Sequence, residues 1–188
     1  MATLLHLHDW PDRAVIGTVG RPGARTFYLQ ARTGRRLTSV AMEKQWAATL
    51  AEKIDEFLDE LMATDGNPFS IPESTPAELV DNDPLEQPVD ARFRTGAMSL
   101  GWDPSTSQVV IEAYAMSEVD EADDDEFWSD PADAEPAEVL QVQIPVGAAR
   151  AFAKRTLEVV GAGRPLCPFC GTPVDPEGHV CPVPGAIG

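Results

Sequence analysis

The chain has 188 residues, 43% hydrophobic and 24% charged, a balance that excludes a fibrous or fully disordered protein and fits a soluble globular one. Its net charge of −17 argues against non-specific nucleic-acid binding, where phosphates must be met by surplus Lys and Arg. No run of about 18 apolar residues offers a membrane span, and residues 1–13 hold neither a basic leader nor a signal-like apolar stretch, so a cytoplasmic protein is expected.

Taken in chain order, His6-Leu7-His8-Asp9 comes first. In an extended chain both imidazoles share one face and would make half of a metal site. No second half is evident, so a chain-terminal polar strand is the expectation. Residues 13–19, 25–31 and 35–41 are rich in branched and aromatic side chains, with hairpin signals at Gly20-Arg21-Pro22-Gly23 and Thr33-Gly34. Trp46, Leu50, Ile54, Phe57, Leu58 and Leu61 then recur at helical spacing and predict an amphipathic helix over 43–62. The first unit reads β-β-β-α.

Residues 64–90 carry Pro68, Pro72, Pro76, Pro84 and Pro88, which block helix and ladder alike, so a linker or an irregular covering loop is expected. Strand signals return at 92–102, 108–116 and 139–144, the last with Leu140, Val142 and Ile144 alternating with Gln141 and Gln143. Pro145 suits the start of a helix with Ala149, Phe152, Ala153, Leu157 and Val160 as its apolar stripe, ended by Gly161-Ala162-Gly163. The second unit repeats β-β-β-α, and a duplication is suggested by pattern alone. The expected architecture is an α+β body over 1–163, six strands in one or two antiparallel sheets with two packed helices, followed by a tail over 164–188.

Eleven of the seventeen net negative charges lie between residues 118 and 138, a stretch without Lys or Arg. Lengthening a loop from 5 to 21 residues costs only about 1.3 kcal/mol of closure entropy, so a solvated acidic loop is the plain reading. Its Phe127-Trp128 pair is also suited to a basic protein partner.

All three cysteines fall in the tail, an odd number within fifteen residues, which favours metal over disulfide. Cys167-Pro-Phe-Cys170-Gly171 is a knuckle that turns two thiolates toward one ion, and His179-Val-Cys181 supplies a second arm that Pro173, Pro176 and Gly178 can fold back. Four protein ligands leave no place for a reacting water, so Cys167, Cys170, His179 and Cys181 are expected to hold a structural Zn2+. Zinc in such modules supplies on the order of 10 kcal/mol, replacing a core the tail lacks. His179 is the weakest ligand, since Asp175 or a water can take its place. A redox dithiol would have to open a helix, which Pro173 and Pro176 oppose.

Gly17-Thr-Val-Gly20-Arg21-Pro22-Gly23 lacks the Lys-Ser/Thr and following helix of a phosphate loop and reads as a hairpin turn. Arg21, Arg25, Arg32, Arg35 and Arg36 nonetheless gather near one hairpin, and Arg21 and Arg25 are the candidates for docking an anionic small molecule; pairing with the protein's own acidic surface competes with that. Glu86, Asp90, Asp103 and Glu112 show no paired spacing, and no Ser/His/Asp or Cys/His nucleophile pattern is present, so no catalytic centre is visible.

Pro11-Asp-Arg13, the string from Gly17 to Ala31, Asn82-Asp-Pro-Leu-Glu-Gln-Pro-Val-Asp90 and the two cysteine arms together resemble the actinobacterial family called domain of unknown function 3090. The resemblance spans nearly the whole chain apart from the acidic insertion and the residues just before Asp81. It implies a genomic setting beside a histidine-phosphatase-like protein and a protein similar to phosphoinositide-type kinases, hence a phosphoryl-transfer or phosphorylated-metabolite pathway with this chain as accessory. The expected function is a zinc-binding accessory or adaptor. The competing expectation is a small hydrolase or transferase whose arginine-rich hairpin binds an anionic substrate while Glu86 or Asp90 acts as base.

Overall fold

Alternation of apolar and polar side chains sets the strands, because only an extended chain puts every second residue on one face. In the computed structural model, which describes residues 2–116, 136–163, 167–172, 174 and 178–182, strands β1 (Leu4–Asp9), β2 (Arg13–Val19), β3 (Thr26–Thr33) and β4 (Arg36–Met42) precede helix α1 (Lys44–Met62). After a long strap come β5 (Ala91–Asp103), β6 (Gln108–Ala115), β7 (Glu138–Pro145) and helix α2 (Val146–Gly161). The fold is α+β, with both β-β-β-α units in place, and the strands form one sheet in the order β1-β7-β6-β5-β4-β3-β2. The expected acidic loop falls mostly on residues 117–135, outside the described residues.

The chain-terminal strand expected at residues 6–9 joins the six strands of the body as a seventh in the same sheet. Residues 6–9 belong to β1, which runs parallel to β7 from Leu4 opposite Glu138 to Asp9 opposite Gln143. The two units meet at β4 and β5, which are parallel rather than antiparallel, over an irregular seam pairing Ser39 with Ala91 and Ala41 with Arg94. Sequence periodicity cannot show this, since it fixes the faces of a strand and says nothing of its neighbour.

β1 and β3 stand five places apart, roughly 24 Å in a flat sheet at about 4.8 Å per strand. Yet the His8 imidazole shares hydrogen bonds of 2.8 Å with Thr33 of β3 and Thr38 of β4, and Arg36 donates to the Leu7 carbonyl. The sheet therefore curls until β1 meets the far hairpin. It curls toward the face bearing Ile16, Leu29, Val40, Met98, Ile111, Leu140 and Ile144, which pack in one core with Leu50, Ile54 and Leu58 of α1 and Phe152 of α2. Both helices consequently lie on the concave side.

The proline-rich segment covers the body. Asn67 binds both backbone groups of Ile71 through its side-chain amide, turning the chain so that Ile71 is buried, while Phe69 sets its ring edge-on against Trp102 at 5.0 Å. Arg150 of α2 then ties α1 to the strap, donating to Asp55, Asp59 and the Pro72 carbonyl. Further along, Leu85 lies over Gly17 so closely that a Cβ there would stand 2.6 Å from Leu85 Cγ.

Two predictions follow from this packing. Gly17→Ala lifts the strap and costs about 1–3 kcal/mol in urea unfolding; in the Gly17→Ala/Leu85→Ala double variant the two losses sum to less than additive, because truncating Leu85 makes the room the new methyl needs. The second concerns His8, whose burial, with lesser contributions from Arg36 and His6, lowers its pKa from 6.5 to about 4. The folded state thus binds fewer protons than the unfolded one between those values, so stability is full above about pH 6.5 and drains as pH falls toward 4. A loss of about 1 kcal/mol between pH 7.5 and 5.5 is expected, and His8→Gln should remove that part of the slope.

Candidate functional site

The tail brings its four expected ligands together. Cys167, Cys170, His179 and Cys181 present donor atoms that all lie within 4.8 Å of one another. The knuckle forms because the Gly171 amide bonds the Cys167 carbonyl at 2.9 Å and the Cys167 amide bonds the Thr172 carbonyl at 2.8 Å. This turn puts Gly171 at φ +72°, a left-handed conformation in which a side chain is strained. Gly178, at φ +94°, makes the corresponding bend before His179.

The spacing suits a metal ion. Cys167 Sγ and Cys181 Sγ are 3.9 Å apart, against about 3.8 Å for the edge of a tetrahedron with 2.3 Å zinc–sulfur bonds. Cys170 Sγ lies 3.3 Å from His179 Nε2. Hydrogen bonding from Thr172, through its side chain and then its backbone, with smaller help from His179 and Cys167, pulls the Cys170 thiol down to about 6; the thiolate is the form that binds metal. The residues present therefore fit a closed, three-sulfur, one-nitrogen site able to hold a metal ion.

The body carries a second convergence of charged side chains, none of which the sequence marked as a site candidate. Arg13 of β2 donates from Nε to Asp81 Oδ2 at 2.6 Å and from Nη2 to Asp81 Oδ1 at 2.9 Å, a two-pronged pair. Arg155 of α2 reaches the same Asp81 Oδ1 at 2.9 Å. The two guanidiniums also bond the carbonyls of Asp83 and, from Arg13, Pro84. Arg155 Nε donates to the Ile16 carbonyl at 3.2 Å, on the outer edge of the edge strand β2. Arg13 and Arg155 are only 12% and 10% exposed, Asp81 30%. The Arg13 hydrogen bond, opposed by partial burial, holds the Asp81 carboxyl below its ordinary range, and desolvation lowers the Arg155 guanidinium from its own. The signal for Arg155 and Arg150 was a charge set beside the apolar stripe of α2, a position that demands a partner.

The match to known proteins decides the family. Residues 6–181 match the family model described as Protein of unknown function (DUF3090). The chain belongs to the DUF3090 family. No curated protein and no solved structure matches it. In this DUF3090 protein the segments that carried the resemblance meet in space: Arg13, Gly17 and Gln30 on β2 and β3 receive the strap around Asp81–Glu86, where Gln30 exchanges hydrogen bonds with both backbone groups of Glu86.

The remaining sequence candidates scatter. Arg21 is exposed in the β2–β3 turn, and Arg25 stands 5.5 Å from the centre of the Phe27 ring. Arg32 pairs with Glu86 at 2.9 Å and with Asp12 at 3.5 Å, which ties the Glu86 carboxylate into the same structural network. Asp90 is exposed at the end of the strap. Glu112 accepts from Ser99 and Gln141 on the neighbouring strands and from Tyr114 on its own, and Asp103 accepts from Ser105 in its own turn. His6 bonds Glu138 across β1 and β7 at 2.7 Å.

Removing the shared carboxylate should be severe, because it strands two shielded cations. Asp81→Asn is expected to cost about 3 kcal/mol, the lower end for a broken buried pair since Asp81 keeps some solvent. Urea unfolding measures it. A loss under half a kilocalorie would mean that the backbone carbonyls alone satisfy both guanidiniums.

Proposed function

We propose that this protein is a zinc-held accessory or adaptor protein, in which Zn2+ orders the tail as a docking module on an α+β body. The observation that carries the reading is the convergence of Cys167, Cys170, His179 and Cys181 within 4.8 Å. Three thiolates and one imidazole are the donor set of structural zinc, and four protein donors fill a tetrahedron. When bound, zinc would act as a cross-link between the two arms of the tail. The chain's own residues supply the rest: Gly171 allows the knuckle, Thr172 stabilises the thiolate and His179 closes the ring.

The adaptor role rests on what the module displays. Phe169 is 65% exposed and Val180 96% exposed, each beside a ligand residue. Such apolar groups held out on a rigid turn suit a partner surface. The resemblance names the expected partners, a histidine-phosphatase-like and a kinase-like protein, and with them a pathway handling phosphorylated molecules.

Elemental analysis of the purified protein should give one zinc per chain, with zinc lost or weakened in Cys181→Ser. Chelation should release Phe169 and Val180 to faster amide exchange while the urea midpoint of the body stays within error. Zinc-free protein after reducing purification would overturn the metal reading, and co-purification of neither expected partner would count against the adaptor.

A further inference from the structure

Between the corner joining β1 to β2, the first half of α2 and the strap lies a cavity of about 270 Å³. It exists because of small side chains: Ala148 and Ala151, one helical turn apart on α2, face it where larger residues would close it, and Phe152 and Ile144 complete an apolar floor. Trp10 stands at the rim, 53% exposed, with its backbone at φ +49°. A left-handed tryptophan is strained and persists only where the surroundings impose it. Its amide is fixed on the Gln143 carbonyl at 3.2 Å, and two residues later the Asp12 amide is fixed on the Arg32 carbonyl at 2.8 Å, so the corner is pinned at both ends with the indole held outward.

The polar wall sets the guanidiniums of Arg13 and Arg155 beside the carboxylates of Asp12 and Asp81. Among the described residues Arg13 makes four hydrogen bonds and sets its Nη1 3.8 Å from the Glu86 carboxylate, while Arg155 makes four, one short of the five N–H donors of a guanidinium. The acceptors nearby are already engaged: Asp81 by both arginines and Asp12 by the Gly34 amide and Arg32. The first turn of α2, which lends Ala148 to the same wall, has no side-chain cap and no acidic residue, so the helix dipole is not neutralised there.

We propose that this cavity is a binding site for a small planar molecule, one ring or two fused rings, that carries an oxygen acceptor such as a carboxylate or carbonyl. The ring lies on Ala148, Ala151 and Phe152 under the Trp10 indole, and the acceptor meets the spare N–H of Arg155. The volume sits just under the roughly 300–1,000 Å³ of sites for drug-sized ligands, which limits the guest to that size. This goes beyond the metal reading, since among the described residues none that lines the cavity belongs to the tail.

The test titrates 1-naphthoate, 1-naphthamide and acetate into the full-length protein and follows amide NMR shifts, with thermal melts of each variant. Naphthoate should shift the amides around Trp10, Ala148 and Ala151 saturably, and acetate should not. Ala151→Leu fills the cavity and should weaken naphthoate at least tenfold with an unchanged or higher melting temperature. Trp10→Gly accepts the positive φ, so it should also keep the fold while losing at least tenfold in affinity. Cys181→Ser should bind as the wild type does, which separates this site from the metal. Naphthamide binding as well as naphthoate upholds an acceptor-reading site, and much weaker binding upholds one that requires charge. The proposal is overturned if neither aromatic probe gives a saturable shift, or if Ala151→Leu and Trp10→Gly bind naphthoate like the wild type.

Discussion

Arg13, Asp81 and Arg155 form the contact on which the rest of the body depends. A curled sheet leaves β2 as an edge with unpaired backbone groups, which in water invites pairing with another chain. Here a guanidinium from α2 satisfies the Ile16 carbonyl on that edge, and the same guanidinium meets Asp81 of the strap. The strap is thereby laid along β2, with Leu85 sealed against the bare backbone of Gly17. A buried charge network of this kind contributes little net stability over an apolar substitute but is costly to break, so its chief effect is to fix one arrangement of strap, strand and helix.

The opposite edge is handled differently. β1 turns back toward β3 and β4 and spends its inward imidazole on two threonine hydroxyls, with Arg36 taking the Leu7 carbonyl. Both edges of the sheet are thus closed by polar side chains from elements distant in sequence, and the concave side is left to the helices. α2 does most of this joining: Arg150 fastens α1 and the start of the strap, Arg155 fastens its end, and the face between them is lined with alanine. An element that must reach two partners at once cannot also fill the space under the β1–β2 corner. The cavity follows from that geometry.

Much of this was legible in the residues. Period-two and period-3.6 patterns gave six of the seven strands and both helices, because those patterns report which face is buried, and burial is what the structure rewards. The Cys/His cluster was legible for a different reason: an odd number of cysteines within fifteen residues of one another, with no other cysteine in the chain, leaves few alternatives to a shared site. The strap was not legible beyond its prolines. Its order comes from single long-range bonds to Arg13, Gln30, Arg150 and Arg155, and neither partner in such a bond has a periodic signature. The arginine-rich hairpin pointed toward anion recognition at Arg21 and Arg25, whereas the structure commits Arg32 and Arg36 to internal bonds and gathers its shielded guanidiniums at Arg13 and Arg155. Counting charges along the chain could not separate these, since what distinguishes them is depth.

Two independent sources of order therefore share one chain. The body is held by a continuous apolar core and its polar clamps, which among the described residues involve none of the tail. The tail has Cys167 buried and its other ligands half-exposed, with large apolar groups such as Phe169 and Val180 turned outward. Groups exposed in this way gain little from burial, and what gathers the described part of the tail is the convergence of its four donors within 4.8 Å. Cys167 comes only six residues after α2 ends at Gly161, which keeps the Cys/His cluster near the helix that already links strap, sheet and cavity wall.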